Sequence, residues 1–315
     1  MSSEALSSHS SKGHALAALG AGLLAVVWGG SFAAMKYLLN SGLSVGSVLT
    51  VRFFLGAGCL WLLAKAFRVP FTRQAVRDGL VLGFWLTLVF WLQTDGLRFT
   101  TTTKSGFITG LYVLFTPAVS ILFRERFGFA HGLGALVAAL GLYFLVHEPG
   151  APFGGWNWGD TETLLCAVGC GFHIVLTTRF SRRSSGWVLA TMQVAVVAVV
   201  SLVITALLPA PHGFQNLLKP LSQPQVWVAM AYLSLLATVL AFWGMSTFQA
   251  YLGATEAAIL YSMEPVYAAL IAMAGLVPGV QERLAPSQIF GGLLLFSAMV
   301  LAELGPRWWK KERPS

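Results

Sequence analysis

Charged residues are scarce in this sequence. Asp, Glu, Lys and Arg make up 10% of its 315 residues, whereas a soluble domain carries about 25%. Hydrophobic residues make up 56%, and the mean hydropathy is +0.72. These values exclude an ordinary soluble fold and indicate a membrane protein, whose structural unit is a spanning segment of about 20 apolar residues.

Cysteine is also rare, and the motifs of common enzymes are missing. The three cysteines, Cys59, Cys166 and Cys170, all lie inside apolar segments, which indicates neither a disulfide framework nor a zinc ribbon. The sequence contains no phosphate-binding glycine loop with its lysine, no HExxH and no GxSxG. It therefore predicts a protein that is not an enzyme and has no cofactor.

Metal and nucleic-acid sites have little support. Cys166, Cys170 and His173 share one helical face, but three candidate ligands on one short stretch are a weak signal. Neighbouring Gly169 and Thr177 favour a packing face of small residues. The net charge is +8, yet the basic residues are scattered singly at segment ends and form no patch for nucleic acid. We predict neither kind of site.

Hydropathy divides the chain into ten apolar segments, five in each half. They are 14–39, 45–67, 76–97, 104–123, 131–146, 160–178, 187–208, 225–249, 254–276 and 286–304. Residues 1–13 are polar and serine-rich, which predicts a disordered cytoplasmic tail and not a cleaved signal. Residues 305–315 are predicted to form a basic cytoplasmic tail.

The halves are predicted to be two five-helix repeats, 14–149 and 156–304, joined by a linker at 150–155. The sequence around this linker, EPGAPFGGWNW, is rich in Pro, Gly and Trp and has no positive charge, as an external connection should. Because five segments is an odd number, the second repeat starts on the opposite side from the first. The expected fold class is all-α, with ten transmembrane helices in two inverted repeats.

The orientation follows from the basic residues, because positively charged connections stay on the cytoplasmic side. With the N-terminus inside, fourteen Lys and Arg residues lie inside and four lie outside. The inside residues are Lys12, Lys65, Arg68, Arg73, Arg77, Arg124, Arg126, Arg179, Arg182, Arg183, Arg307, Lys310, Lys311 and Arg313, and the outside residues are Arg98, Lys104, Lys219 and Arg283. Both termini are therefore predicted to be cytoplasmic, in the plasma (inner) membrane.

One stretch, ATEAAILYSMEPVYAALIAMAGL at 254–276, carries a carboxylate and a helix breaker in the middle of an apolar segment. Pro265 removes a helical hydrogen bond, and Glu264 at bilayer depth costs several kcal/mol unless it faces a cavity or a partner. About 150 residues earlier, Thr116 and Pro117 interrupt a similar segment. Two interrupted segments in corresponding positions are typical of the midplane substrate site of a transporter.

Several motifs in both halves resemble one family. WGGSF at 28–32, VRFF at 51–54, GLRFTTTTKSGFITGLYVLFTP at 96–117 and GATEAAILYSMEPVYAALIAMAG at 253–275, followed by Glu282, are similar to the EamA-type branch of the drug/metabolite transporter superfamily. The resemblance implies that eight helices surround a central cavity and that segments five and ten are peripheral. Glu125, only eight residues after Pro117, departs from the family's pattern, and no role is assigned to it.

The predicted substrate-binding residues lie in both halves of the chain. They are Trp28, Arg52, Tyr112, Thr116, His173, Tyr261 and Glu264, with Pro117 and Pro265 as the helix breaks. For Glu264 three roles stay open: it carries a proton, it binds a cationic substrate group, or it is a structural carboxylate hydrogen-bonded across helices. Arg52 either contacts the cavity or a carboxylate, or reaches the outer interface with its long side chain. Lys36 is left out of the site because it reaches the interface more easily.

Aromatic residues could line the same cavity. The candidates are Trp28, Trp85, Trp91, Tyr112, Trp243 and Tyr261, although aromatic residues of membrane proteins more often lie in the core or the interfacial belt. Trp28 and Tyr112 are favoured because they adjoin the repeat motifs. Gly29, Gly30 and the pair Gly106 and Gly110 are interpreted as close helix contacts.

The predicted function is a secondary transporter that exports small organic metabolites, such as amino acids or related amphiphiles, by alternating access. A gradient supplies the energy, protons are a candidate coupling ion, and the protein is expected to be a monomer or homodimer in the lipid bilayer. One alternative is a membrane-embedded enzyme for lipid-linked substrates, which would need acid, base or metal residues clustered at one interface. Another is a non-transporting scaffold or receptor, which has little use for a midplane Glu-Pro pair opposite an arginine.

The orientation can be tested by thiol labelling of intact cells. A cysteine in place of Ser315 should resist an impermeant thiol reagent, because a cytoplasmic C-terminus is shielded by the membrane. A cysteine in place of Gly154 should react, because the linker is predicted to be external. Labelling of the Ser315 variant from outside would contradict both the orientation and the inverted repeats.

Overall fold

The structure is a computed structural model that describes residues 3–122, 133, 136–137, 140–141, 143–144, 155–209, 213–214 and 222–311, with the backbone alone at 3–12, 299–300 and 302–311. Most of the predicted fifth segment, 131–146, lies outside the described residues. So do linker residues 150–154 and Glu125.

All regular elements in the described part of the chain are helical. The first half contains α1 (Ser3–Asn40), α2 (Val45–Ala66), α3 (Arg73–Gly96), α4 (Thr102–Gly110) and α5 (Tyr112–Ile121). The second half contains α6 (Trp158–Ser181), α7 (Gly186–Leu207), α8 (Pro224–Ala231), a π-helix (Tyr232–Leu240), α9 (Ala241–Phe248), α10 (Ala254–Tyr261), α11 (Glu264–Ala274) and α12 (Pro286–Lys311).

Eight helical stretches of the described chain are long and apolar enough to cross a membrane. They are Gly13–Asn40, Val45–Ala66, Arg73–Gly96, Thr102–Ile121, Trp158–Ser181, Gly186–Leu207, Pro224–Phe248 and Ala254–Ala274. The apolar part of α12 is shorter, Pro286–Ala298. The chain is thus a multi-pass, all-helical membrane protein with eight candidate spans in its described residues.

Both terminal helices run further than the sequence predicts. Helix α1 begins at Ser3, inside the stretch expected to be a disordered tail, and α12 continues to Lys311 in the expected basic tail. Extending an existing helix fixes one residue for each hydrogen bond gained, so polar residues can continue a membrane helix at low cost.

Side-chain caps fix where several helices begin. Ser44, Thr72 and Thr101 accept hydrogen bonds from backbone N–H groups three residues later, at the first turns of α2, α3 and α4. Asn157 forms a reciprocal capping box with Asp160 at the start of α6. These caps satisfy amide groups that have no partner within their own helix. The connections therefore enter the bundle at defined positions.

The two halves of the chain pack into each other. Helix α3 packs against α6 and α7, α2 packs against α7, and α1 packs against α11. Gly83 allows the close approach of α3 to α7, because a Cβ atom added there would lie 2.5 Å from Cβ of Val196. Gly29 similarly lies against the start of α11, where an added Cβ would be 2.6 Å from Cβ of Tyr267 and 2.9 Å from the Glu264 carbonyl oxygen.

Helix α12 lies at the edge of the bundle, against α5 and α10. The few described residues of segment five contact it. An added Cβ at Gly141 would lie 2.8 Å from the carbonyl oxygen of Gly291, and the rings of Phe144 and Phe290 are 5.1 Å apart. These described parts of segments five and ten pack together away from the centre.

Two basic side chains hydrogen-bond connecting segments to the helices of the bundle. Arg183, in the turn between α6 and α7, binds the buried carboxylate of Asp78 through Nη2 at 2.6 Å and Nε at 3.0 Å. This hydrogen-bonded pair raises the pKa of Arg183 and keeps its guanidinium charged. Lys36 does not reach for the interface as the sequence suggested. Its Nζ donates to the carbonyl oxygens of Leu97 at 2.7 Å and Thr100 at 3.0 Å, which the end of α3 leaves unpaired.

The glycine contact between α3 and α7 gives a direct test of the packing. Gly83→Ala should lower the melting temperature in detergent, because overpacking costs about 1–3 kcal/mol. Gly58→Ala is the control, since a Cβ there meets no atom within 4 Å and both changes gain about 1 kcal/mol of helix propensity. An equal effect of the two substitutions would contradict the packing of α3 on α7.

Candidate functional site

A cavity lies between helices from both halves of the chain. Its walls are mostly aromatic and apolar, with a few polar side chains that converge on the space. The lining residues are Trp28, Ser31, Leu86, Val89, Phe90, Gln93, Thr109, Tyr112, Cys170, His173, Ile174, Phe242, Met245, Tyr261 and Glu264. Larger grooves open on the bundle's outer surface, but their linings are almost wholly apolar. Because ligand sites combine an apolar wall with convergent polar groups, the central cavity is the candidate site.

Two interrupted helices bring their residues to this cavity. Helix α4 ends at Gly110 and α5 begins at Tyr112, and α10 ends at Tyr261 and α11 begins at Glu264. Tyr112 and Glu264 are each the eleventh residue of their spans, Thr102–Ile121 and Ala254–Ala274, and therefore lie near the middle of the membrane-spanning length. Both side chains line the cavity.

Pro117 and Pro265 lie at different positions relative to the two helix breaks. Pro265 is the second residue of α11, where a proline costs little because its missing N–H has no partner in a first turn anyway. Pro117 lies inside the continuous helix α5, six residues after the break at Leu111. The prediction of a helix break at Pro117 therefore has to be corrected. In α5 the ring removes a single hydrogen-bond donor, and the helix continues to Ile121 around it.

Glu264 is 8% exposed, and the hydroxyl group of Tyr112 lies within electrostatic reach of its carboxyl group. The two breaks therefore place a carboxyl group and a hydroxyl group, one from each half, next to each other beside the same space.

Aromatic rings form the wall around the carboxyl group. Trp28 meets Tyr261 edge to face at 5.2 Å between ring centroids and contacts Phe242 at 5.8 Å. Its indole Nε1 donates to the carbonyl oxygen of Ala237 at 3.3 Å, which fixes the ring in the wall. Tyr261 is 1% exposed. The wall offers flat apolar faces with polar atoms at their edges.

His173 joins a chain of polar side chains behind the cavity. Its Nε2 lies 2.7 Å from Oε1 of Gln193, and Nε2 of Gln193 donates to Oγ of Ser246 at 3.1 Å. The imidazole also meets the edge of Phe242. This chain holds His173 in place, and one side of the ring still lines the cavity.

Arg52 does not line the cavity, and it does not reach the interface either. It is fully buried behind the wall, where Nε donates to Oγ1 of Thr238 at 2.8 Å and Nη2 to the carbonyl oxygen of Ala237 at 3.1 Å. Its guanidinium lies 4.6 Å from the ring centroid of Phe90. A carbonyl, a hydroxyl and an aromatic face replace the carboxylate that the sequence led us to expect. The sequence could not foresee this, because the acceptors lie on the π-helix.

Thr116 is likewise outside the lining. Its hydroxyl donates to the carbonyl oxygen of Tyr112 at 2.7 Å, one turn earlier in the same helix. Of the other aromatic candidates, Trp85 stacks on Phe172 and Trp91 donates to Ser201, and neither is among the lining residues.

Sequence reasoning missed several lining residues. Gln93, an uncharged polar residue in an apolar segment, donates to Thr109 at 3.4 Å across the cavity wall. Cys170, interpreted from the sequence as a packing residue, also lines the cavity. The rarity of polar side chains in the middle of spans was a usable signal for Gln93. Phe242 and Met245 carried no such signal among many apolar residues.

These observations define a class: a helical membrane protein with a cavity at mid-depth between two interrupted helices, which is the arrangement of secondary transporters. Comparison with known proteins agrees. The EamA-like transporter family model matches residues 15–147 and again 157–304. The chain belongs to the EamA-like transporter family and is a membrane transporter.

One individual relative supports this assignment, and one solved structure shows the same fold. The chain is 32% identical over 288 residues to an uncharacterized transporter of Archaeoglobus fulgidus, a match that covers 91% of this chain and 85% of the relative. A protein of known crystal structure shares the fold, with a TM-score of 0.67 over 95% of this chain and 99% of the other, at 18% identity.

Cys170 provides a native reporter for the cavity. In a chain carrying Cys59→Ala and Cys166→Ala, a small hydrophilic thiol reagent should modify Cys170, because its side chain borders the cavity. In the reverse variant, which keeps only Cys166, the thiol is fully buried and should stay unmodified. Mass spectrometry of the intact protein distinguishes the two. Modification of Cys166 and not of Cys170 would contradict the position of the cavity.

Proposed function

We propose that this protein is a secondary transporter that exports small organic metabolites, such as amino acids or related amphiphiles, by alternating access. The observation that carries the proposal is the position of Glu264, a buried carboxylate at the break of a spanning helix, beside an aromatic cavity. Such a carboxylate is costly in a membrane unless it meets a proton or a cationic group. A gradient supplies the energy for transport.

The cavity chemistry supports a substrate with an amino group and an apolar body. Glu264 would bind the ammonium group, and the faces of Trp28 and Tyr261 would contact the apolar part and add a cation–π attraction. The described lining has no Lys or Arg. A substrate carboxylate would therefore rely on neutral donors, such as the amide of Gln93 and the hydroxyl of Tyr112.

Ten transmembrane helices in two inverted repeats are part of the proposal. The helix breaks at Leu111 and Met263 are 152 residues apart, and so are the N-caps Thr101 and Gly253 of the half-helices that precede them. The two matches to one family model support the repeat boundaries, 14–149 and 156–304. Segment five supplies the remaining spanning helix of the first repeat, with α12 as its counterpart.

Both termini are proposed to be cytoplasmic, in the plasma membrane. The side chain of Lys104, which the sequence assigns to the outside, turns into the bundle, where it is 8% exposed and pairs with Asp160. It is therefore not a loop charge, and the difference in positive charge between the two sides becomes larger. This supports the orientation with the basic turns inside.

Protons are the proposed coupling ion, with Glu264 as their carrier. A carboxyl group that binds either a proton or a substrate ammonium couples proton movement to substrate movement, because the proton and the ammonium group compete for one negative charge. The fifteen lining residues hold one imidazole, that of His173, and its Nε2 is already paired with Gln193. Glu264 is therefore the stronger candidate for coupling.

The test is Glu264→Gln in proteoliposomes, with exchange, gradient-driven flux and melting temperature measured on one preparation. The change keeps the size of the side chain and removes its titrating charge, so gradient-driven flux should fall about tenfold or more. Exchange that persists identifies a proton carrier, and exchange that fails identifies a contact with the substrate ammonium.

Glu162→Gln is the matched control, because Glu162 is also 8% exposed but lies outside the cavity lining. It should change flux per folded molecule little. If Glu264→Gln lowers only the melting temperature and leaves flux per folded molecule normal, Glu264 is a structural carboxylate and is removed from the site.

A further inference from the structure

An ion pair and a carboxylate–imidazole pair join half-helices to neighbouring helices at opposite ends of the bundle. At one end, Nζ of Lys104 on α4 lies 2.8 Å from Oδ2 of Asp160 on α6. At the other, Oε1 of Glu256 on α10 lies 3.0 Å from Nε2 of His14 on α1. Each pair bridges the first and second halves of the chain.

The two pairs occupy equivalent places in the repeats. Lys104 is the third residue of α4 and Glu256 the third residue of α10, 152 residues apart, which is also the separation of the two helix breaks. Their partners His14 and Asp160 are 146 residues apart. Each half-helix residue stands eight positions before the cavity residue of its own span, roughly 12 Å along a helix.

Beside each pair lies a second contact, and its residues show the same separations in the sequence, 146 and 152 residues, between the two halves of the chain. Nζ of Lys36 donates to the carbonyl oxygen of Thr100, and Nη2 of Arg182 donates to that of Leu252 at 3.3 Å. The donors are 146 residues apart and the acceptors 152 residues apart. Two independent contacts therefore relate the two ends by the same correspondence.

The ends differ in how tightly they are closed. The side chains of Lys104 and Asp160 are 8% and 0% exposed, whereas those of His14 and Glu256 are 50% and 25% exposed. Asp160 also accepts from Oγ1 of Thr100 at 2.7 Å. This conformation is sealed at the Lys104 end and looser at the His14 end.

The buried pair places its positive charge at the N-terminal end of a helix, which makes the contact easier to break. A cation in the first turn of a helix faces the positive end of the helix dipole, so Lys104 is unfavourable in α4 unless Asp160 compensates for it. Glu282 adds a negative charge by accepting from the backbone N–H groups of Thr102 and Thr103. The attraction in a buried ion pair is largely offset by lost hydration, which both charges regain on separation.

We propose that Lys104–Asp160 and His14–Glu256 are the two alternating gates of the cavity. Breaking the first pair opens the cavity at the Lys104 end, and breaking the second opens it at the His14 end. This assignment rests on the alternating-access function proposed above, and it names the side chains that control access to the site.

Access to the cavity can be measured with Cys170 as the reporter, in the variant that carries Cys59→Ala and Cys166→Ala. An impermeant thiol reagent is applied to right-side-out and to inside-out vesicles. Lys104→Gln should raise the labelling rate of Cys170 at least about threefold from the Lys104 end alone, because Asp160 loses its cation and its buried charge is left to attract water. Glu256→Gln should raise it from the His14 end alone.

Arg98→Gln is the control at the Lys104 end. It breaks an ion pair of similar length, 2.6 Å to Asp95, whose members are three residues apart and so cannot hold two helices together. If Lys104→Gln changes labelling no more than Arg98→Gln does, the gate is overturned. Because labelling needs no substrate, it tests the gate separately: a shift in labelling with no transport of any amine would sustain the gate and contradict the proposed function.

A second variant covers the case in which Lys104→Gln fails to fold. Lys104→Cys with Asp160→Cys, in a chain that also carries Cys59→Ala, Cys166→Ala and Cys170→Ala, should stop exchange when a short cleavable bis-thiosulfonate joins the two cysteines. Reduction should restore exchange. Exchange that continues in the cross-linked protein would overturn the assignment.

Discussion

The membrane interior offers no hydrogen-bond partner, so each polar group placed there must find one within the protein. The break between α10 and α11 is the point where this constraint has the largest consequence. It leaves the backbone irregular at Ser262 and Met263, in the middle of a span, and it turns a carboxylate inward. Gly29 lets α1 approach the first turn of α11, which directly follows this irregular backbone. The cavity exists because the helix is interrupted there.

Several charges elsewhere in the bundle have partners within the protein. Nε and Nη2 of Arg52 donate to a hydroxyl and a carbonyl, and the guanidinium lies against two aromatic rings, while its Nη1 has no partner among the described residues. Asp78 is bound by Arg183 and Ser184, and Lys36 by the carbonyls at the end of α3. Each of these side chains stabilises a junction between elements. The carboxyl group of Glu264 instead borders the cavity, beside the hydroxyl group of Tyr112. This contrast supports the proposal that Glu264 acts on a substrate or a proton while the other charges hold the frame.

The correspondence between the two halves also has a physical basis. Two copies of one fold, inserted in opposite directions, would present the same half-helix and the same connection to opposite sides of the membrane. The equivalent contacts at the two ends are Lys104 with Asp160 and Glu256 with His14. They differ in the charges of corresponding residues and in the exposure of their side chains. Such a difference lets one end be closed while the other is loose. The proposed gates and the proposed inverted repeat therefore support each other.

The sequence alone determined the class of fold and the family, because spanning helices need long apolar runs and nearly every such run is visible in the chain. It also indicated five residues that line the cavity, Trp28, Tyr112, His173, Tyr261 and Glu264, since they stand out as polar or aromatic beside the motifs. Arg52 and Thr116 looked equally suitable, but their partners lie on the π-helix and within α5. Only the tertiary structure decided which side of a helix faces the cavity, where the first break falls relative to Pro117, and which charges from distant parts of the chain meet. Those outcomes depend on helix rotation and on close packing between the two halves, which hydropathy does not encode.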